Sequence, residues 1–324
     1  MKNEISEAGF FAENRMGENF MDIDVIGVPV DLGADRRGVD MGPSAIRYSG
    51  LMQAIKSLHI KYRDLGNVNV PVPESRDDFN DSSLRPKYIH EITNINKAIY
   101  EKVSGSLKEG NMPLVLGGDH SIATGTLLGV QSVYENIGVI WMDAHGDFNT
   151  EHTTLSGNIH GMSLAAAAGI GMREITSFKP DHFNYINPEK IAIIGARSLD
   201  PEEAKLLKKS GVSVFTMEDI DMYGLRAIMQ KAIGVVETGT EGFHLSFDLD
   251  VVTPTDAPGV GTPVKGGLTY REAHLAAEMI SLRPKLLSLE FVELNPILDN
   301  ANITGELAVS LICSVLGKRI YVSV

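Results

Sequence analysis

Asp143, His145 and Asp147 stand at i, i+2 and i+4 in the run Asp-Ala-His-Gly-Asp. Alternate residues of an extended segment point to one side, so the three side chains can converge. Asp248 and Asp250 repeat the i, i+2 spacing, and His120 stands in Gly-Gly-Asp-His-Ser. Together these are four carboxylates and two imidazoles. Such a mixed oxygen and nitrogen set suits manganese and related divalent ions better than soft-metal sites built on thiolates. Six ligands exceed the needs of one ion, whereas two ions sharing bridging carboxylates would use them all. Four Asp contribute −4 and two divalent ions +4, so the filled cluster is near neutral. Without metal, the carboxylates would repel one another strongly. The site is therefore expected to need metal for its order as well as its chemistry. Taken singly, Asp-x-His could be a surface pair, Asp-x-Asp a helix cap and Gly-Gly-Asp a turn. Their shared position, each just after an apolar strand, argues for a metal centre.

Short apolar runs, expected to be strands, lie at 23–30, 112–116, 137–142, 190–194, 212–215, 243–247 and 285–291. Helical spacing or capping residues predict helices over 88–108, 121–134, 201–209, 269–281 and 304–316, with Ser121 as a candidate N-cap. The alternation of the two predicts an α/β fold with a parallel sheet and helices on its faces. Ligands of such sheets bind beyond the carboxyl ends of the strands. The three metal motifs and Glu293-Leu294-Asn295-Pro296 all follow strands, so all four fall on that edge. No repeat or linker divides the chain. Residues 21–324 are expected to form one domain, 1–20 a flexible extension, and 66–86 a polar surface excursion.

The 324 residues include 43% apolar and 22% charged residues, in the ordinary globular range. Lys and Arg number 29 against 42 Asp and Glu, a formal charge of −13. This acidity disfavours nucleic acid as a partner and is compatible with a metal or a cationic substrate. No apolar run approaches the ~18 residues of a membrane span. The first 22 residues hold four Glu and no signal-like apolar stretch, and Cys313 is the one cysteine. A cytoplasmic location is expected, with no membrane partner.

Gly-Gly-Asp-His-Ser (117–121), Asp-Ala-His-Gly-Asp (143–147) and Ser-Phe-Asp-Leu-Asp (246–250) resemble the three metal motifs of the ureohydrolases, the arginase/agmatinase family. Arg37-Gly38-Val39-Asp40-Met41-Gly42-Pro43 and Gly259-Val260-Gly261-Thr262-Pro263 extend the resemblance over nearly the whole chain. It implies a three-layer α/β/α fold around a mostly parallel sheet, and two Mn2+ per subunit. One ion would be held by His120 and Asp147, the other by His145 and Asp250, with Asp143 and Asp248 bridging. The segment 149–161 is similar to the arginase loop that receives an amino acid's α-carboxylate, here through Asn149, Thr154 and Ser156. Neutral donors bind a carboxylate without adding positive charge beside a guanidinium. By the same resemblance Asp200 falls where the α-amino group is contacted, and relatives suggest a homo-oligomer, trimer or hexamer. Two positions depart from the pattern: Thr253-Pro254 replaces a second Asp-Pro, and Ser198 stands where some arginases carry Asp.

The expected reaction is hydrolysis of L-arginine to L-ornithine and urea by a metal-bridging hydroxide, since metals ionise water near neutral pH. Glu293 should hold the guanidinium, and His160 should carry a proton to the leaving amine. Other readings are an agmatinase or formimidoylglutamase of the same family, a non-catalytic metal-binding paralogue, or a one-zinc deacetylase of related fold. His152 is expected at the surface, and Cys313 in the core.

Overall fold

A computed structural model describes residues 21–72 and 86–321. The expected extension at 1–20 and most of the excursion at 66–86 lie outside the described residues. Eight strands form one sheet: β1 (Ile23–Val28), β2 (Tyr62–Asn67), β3 (Met112–Gly117), β4 (Ile137–Met142), β5 (Ile191–Ala196), β6 (Ser213–Thr216), β7 (Gly242–Asp248) and β8 (Leu286–Val292). Their order is β2-β1-β3-β8-β7-β4-β5-β6, and each neighbouring pair is parallel.

Every residue of β1, β3, β4, β5, β7 and β8 is buried. This is why those strands read as continuous apolar runs: helices cover both faces of a parallel sheet. Alternate side chains feed two cores. Val25, Leu114, Leu116 and Met142 pack with the helices Gly42–Tyr48, Leu51–Ser57, Leu225–Glu237, Tyr270–Ile280 and Ile303–Val315. Ile26, Val115, Val139 and Trp141 pack with Ile89–Lys108, Ala123–Gln131, Ser163–Ala167 and Pro201–Ser210. The result is the expected three-layer α/β/α architecture.

Among the described residues, the structure adds an eighth strand and five α-helices to the expected elements. β2, Tyr-Arg-Asp-Leu-Gly-Asn, is an edge strand with four exposed residues, so it lacks a continuous apolar signal. Its last two residues belong to the sheet, not to the excursion expected from residue 66. Leu225–Glu237 buries Leu225, Ile228, Met229, Ala232, Ile233 and Val236, a regular helical stripe. The helix expected from Ser121 starts later, at Ala123, after a 3-10 turn His120–Ile122. Asp119 caps that turn: its carboxylate accepts from the Ser121 N–H at 2.9 Å.

Candidate metal centre

β3, β8, β7 and β4 are consecutive in the sheet, and the polar clusters leave from their carboxyl ends. Four segments far apart in the chain are thereby delivered to one point. His120 Nδ1 lies 3.1 Å from Asp143 Oδ2, 3.0 Å from Asp147 Oδ2 and 3.3 Å from Asp248 Oδ2. His145 Nδ1 lies 3.4 Å from Asp143 Oδ1 and 3.1 Å from Asp250 Oδ2. Two donor groups result, His120 with Asp143 and Asp147, and His145 with Asp143 and Asp250, overlapping at Asp143.

The carboxylates are held by neighbours before any cation arrives. Asp143 accepts from Trp141 Nε1–H at 2.9 Å and from the His145 N–H at 2.7 Å. Asp248 accepts from the Asp250 N–H at 2.8 Å, and Asp250 from the Thr262 hydroxyl at 2.9 Å. The His120 ring stacks on Trp141 with centroids 4.0 Å apart. Asp147 and Glu293 adopt φ of 47° and 66°, left-handed backbone that non-glycine residues occupy at a cost usually met at functional sites.

His120 Nδ1 is buried without a hydrogen-bond partner, although three carboxylate oxygens face it. Acceptors facing an acceptor repel unless a cation stands between them. The donor set and this orphaned nitrogen fit a divalent metal. In the metal-free protein, protons serve instead. Burial opposes charge on His120 and His145, but the surrounding aspartates outweigh it and raise both imidazole pKa values. Burial, reinforced by the neighbouring carboxylates, likewise raises Asp147 and Asp248.

Beside the cluster opens a cavity of about 150 Å3. Asn149, Ser156, His160, Ser198, Asp200 and Glu203 line it together with His145, Asp147 and Asp248. Thr154 is not among the lining residues; its hydroxyl accepts from the Gly157 N–H at 3.0 Å and shapes the turn. Asn149 Nδ2–H donates to Asp200 Oδ2 at 3.2 Å, tying the loop after β4 to the loop after β5. A larger groove of about 650 Å3 lies between Leu225–Glu237 and Tyr270–Ile280, but no residue of the cluster lines it.

The Arginase family description matches residues 21–317. An arginase of Bacillus caldovelox is 48% identical over 301 residues, covering 92% of this chain and 99% of the relative. The native structure of the Bacillus caldovelox arginase superposes with a TM-score of 0.88 at 47% identity, over 93% of this chain and all of that one. Entamoeba histolytica arginase, solved with L-ornithine, gives a TM-score of 0.84 at 29% identity, again over 93% and 100% of the two chains. The chain belongs to the arginase family. It is a hydrolase of that family.

The arginase-family site also holds Glu293 and His160. Glu293 Oε1 accepts from the His120 N–H at 2.9 Å and lies 3.0 Å from His160 Nδ1. Glu293 Oε2 is buried and unpartnered. Gly261 leaves it room, since a Cβ there would lie 2.8 Å away. Burial opposes charge on both groups, yet each stabilises the other: the Glu293 pKa is lowered and that of His160 is pushed up to about 9. Behind them, burial raises Asp119 to about 6.

Four residues of this arginase-family site escape sequence reasoning. Glu203 looks like its exposed neighbour Glu202, an acidic residue in a first helical turn. It is instead 3% exposed and accepts from the N–H groups of Phe148 and Asp200 at 2.9 and 3.2 Å. Burial pushes its carboxyl up to about 7. Thr262 lies in Gly-Val-Gly-Thr-Pro, and only the fold shows that it reaches Asp250. Ser246 and Glu290 are polar residues inside mostly apolar strands, a signal present in the sequence. His152 is exposed beside Glu151, and Cys313 is buried and free. Thr253 takes part in a backbone-held turn, its N–H donating to Leu268 O at 2.8 Å. Among the described residues, no helix is long and apolar enough to cross a membrane.

Proposed function

We propose that the protein hydrolyses L-arginine to L-ornithine and urea with two Mn2+ per subunit. The cavity beside the cluster carries this reading: neutral donors, Asn149 and Ser156, share its wall with the acids Asp200 and Glu203. Neutral donors suit an α-carboxylate, and acids suit an α-ammonium. Agmatine has no carboxylate to use the neutral side. Thr154 contributes by setting the turn that presents Ser156.

His120 and Asp147 would hold one ion, His145 and Asp250 the other, with Asp143 and Asp248 shared. When bound, such ions lower the pKa of water and supply a nucleophile near neutral pH. The free Glu293 Oε2 accepts N–H bonds from the guanidinium and fixes its carbon against the cluster. Water oxygen forms the new C–O bond, and the bond from carbon to the substrate's side-chain nitrogen breaks. The leaving amine takes a proton from His160, whose Nδ1 is occupied by Glu293, so Nε2 is the exchanging atom.

The reading further takes residues 21–324 as one domain, in a homo-oligomer of three or six subunits in the cytoplasm, with no nucleic-acid or membrane partner. Urea release from arginine, agmatine and formimidoylglutamate, after metal stripping and manganese reconstitution, tests it. Arginine should give the highest kcat/KM, and metal analysis should find two ions per chain. Faster turnover of agmatine or formimidoylglutamate, or one ion at full activity, would overturn it.

A further inference from the structure

Glu290 is a carboxylate in the middle of the sheet, wholly buried, and the chemistry above does not use it. It lies on β8 directly opposite Ser246 on β7, and Ser288 lies opposite His244 in the same register. The two rungs put four buried polar side chains between apolar neighbours in the middle of the sheet. Burying them has a cost unless every group is partnered, so their arrangement carries information.

Ser246 Oγ–H donates to Glu290 Oε1 at 2.8 Å, and His120 Nε2 lies 2.7 Å from Ser246 Oγ and 3.9 Å from Glu290 Oε1. A hydroxyl has one hydrogen to give. With that hydrogen on Glu290, Ser246 accepts from His120, and the imidazole proton must sit on Nε2. The lone pair is then left on Nδ1, the atom facing Asp143, Asp147 and Asp248. Trp141, stacked on the ring, blocks rotation out of this position. On the other side, His244 Nδ1 lies 2.7 Å from Ser288 Oγ, and its Nε2 lies 3.5 Å from Glu290 Oε1, so Glu290 is itself hemmed in.

We infer that Glu290 is a positioning residue for the metal site, acting through Ser246 to select the His120 tautomer that presents Nδ1 to a cation. It touches neither substrate nor metal. Other carboxylates that face a metal-ligating histidine do so directly; here a serine hydroxyl is interposed between them. The inference rests on the metal reading given above.

The test uses the metal-stripped full chain, manganese titrated by calorimetry, and the variants Ser246→Ala and Glu290→Gln. Ser246→Ala removes the hydroxyl without adding bulk. It should weaken manganese binding roughly 10- to 100-fold, the usual effect of losing such an outer partner. Its loss of activity at limiting manganese should be recovered by excess metal with KM for arginine unchanged. Glu290→Gln keeps an acceptor for Ser246 but loses the charge, and should weaken manganese less than Ser246→Ala does. Manganese affinities equal to wild type in both variants would overturn the inference. So would a Ser246→Ala defect that saturating manganese leaves in place, since that marks a merely structural serine. If wild type itself took up no manganese or released no urea, the proposed function would fail instead, before any variant was compared.

Discussion

Asn149 and Glu203 sit on the same cavity but fail differently when changed. Asn149→Asp places a carboxylate where the reading puts the substrate's own. Arginine KM should rise about tenfold or more, a change of about 1.4 kcal/mol per decade, in steady-state urea assays. An unchanged KM would remove Asn149 from recognition. Glu203 gives a pH signature. Burial holds its carboxyl near 7, above the 4.5 of an unperturbed glutamate. Folding therefore favours its protonated form. That contribution is complete below pH 4.5 and is lost as pH rises through 7, by up to ~3 kcal/mol at 1.36 kcal/mol per unit. In metal-free protein, the melting temperature of Glu203→Gln relative to wild type should climb between pH 5 and 8. Parallel profiles would contradict a buried, reluctant carboxyl. The six candidate ligands were readable because each stands in a short polar motif after an apolar strand. Glu203 was not, because burial separates it from Glu202 and burial is a property of the folded chain.

The same distinction governs the elements. β1, β3, β4, β7 and β8 were plain as apolar runs because helices cover both of their faces. β2 escaped because an edge strand buries little and can be polar. Leu225–Glu237 carries a helical signal in the sequence itself, a stripe at three- and four-residue spacing. Its packing makes a sharp prediction. Gly138 begins the passage of β4 beneath this helix, and a Cβ there would lie 2.2 Å from Val236 O and 2.6 Å from Val236 Cβ. Backbone cannot move aside as a flexible side chain can, so Gly138→Ala should cost about 1–3 kcal/mol. Ile228→Ala, which removes a buried side chain from the same helix, should cost about 2–5 kcal/mol. Chemical denaturation checks both, and wild-type stability in Gly138→Ala would refute the close approach.

The molecule as a whole carries a formal charge of −13 and gathers four aspartates at one buried point. Removing metal should therefore lower the melting temperature, and adding manganese should raise it with the logarithm of free concentration. Calorimetric scans across a chelator and manganese series measure this; a melting temperature indifferent to both would count against a resident cation. The strand order, 2-1-3-8-7-4-5-6, was not to be had from the sequence, because no local pattern says which parallel strand lies beside which. That order has a consequence in time. His120 and Glu293 meet across 173 positions of chain, through the hydrogen bond from one's amide to the other's carboxylate. β8 sits between β3 and β7, so the two halves of the ligand set have no common wall until it inserts. A ribosome must therefore release the chain through β8 before a cation would have anywhere to settle, and its capture would come after the sheet has closed.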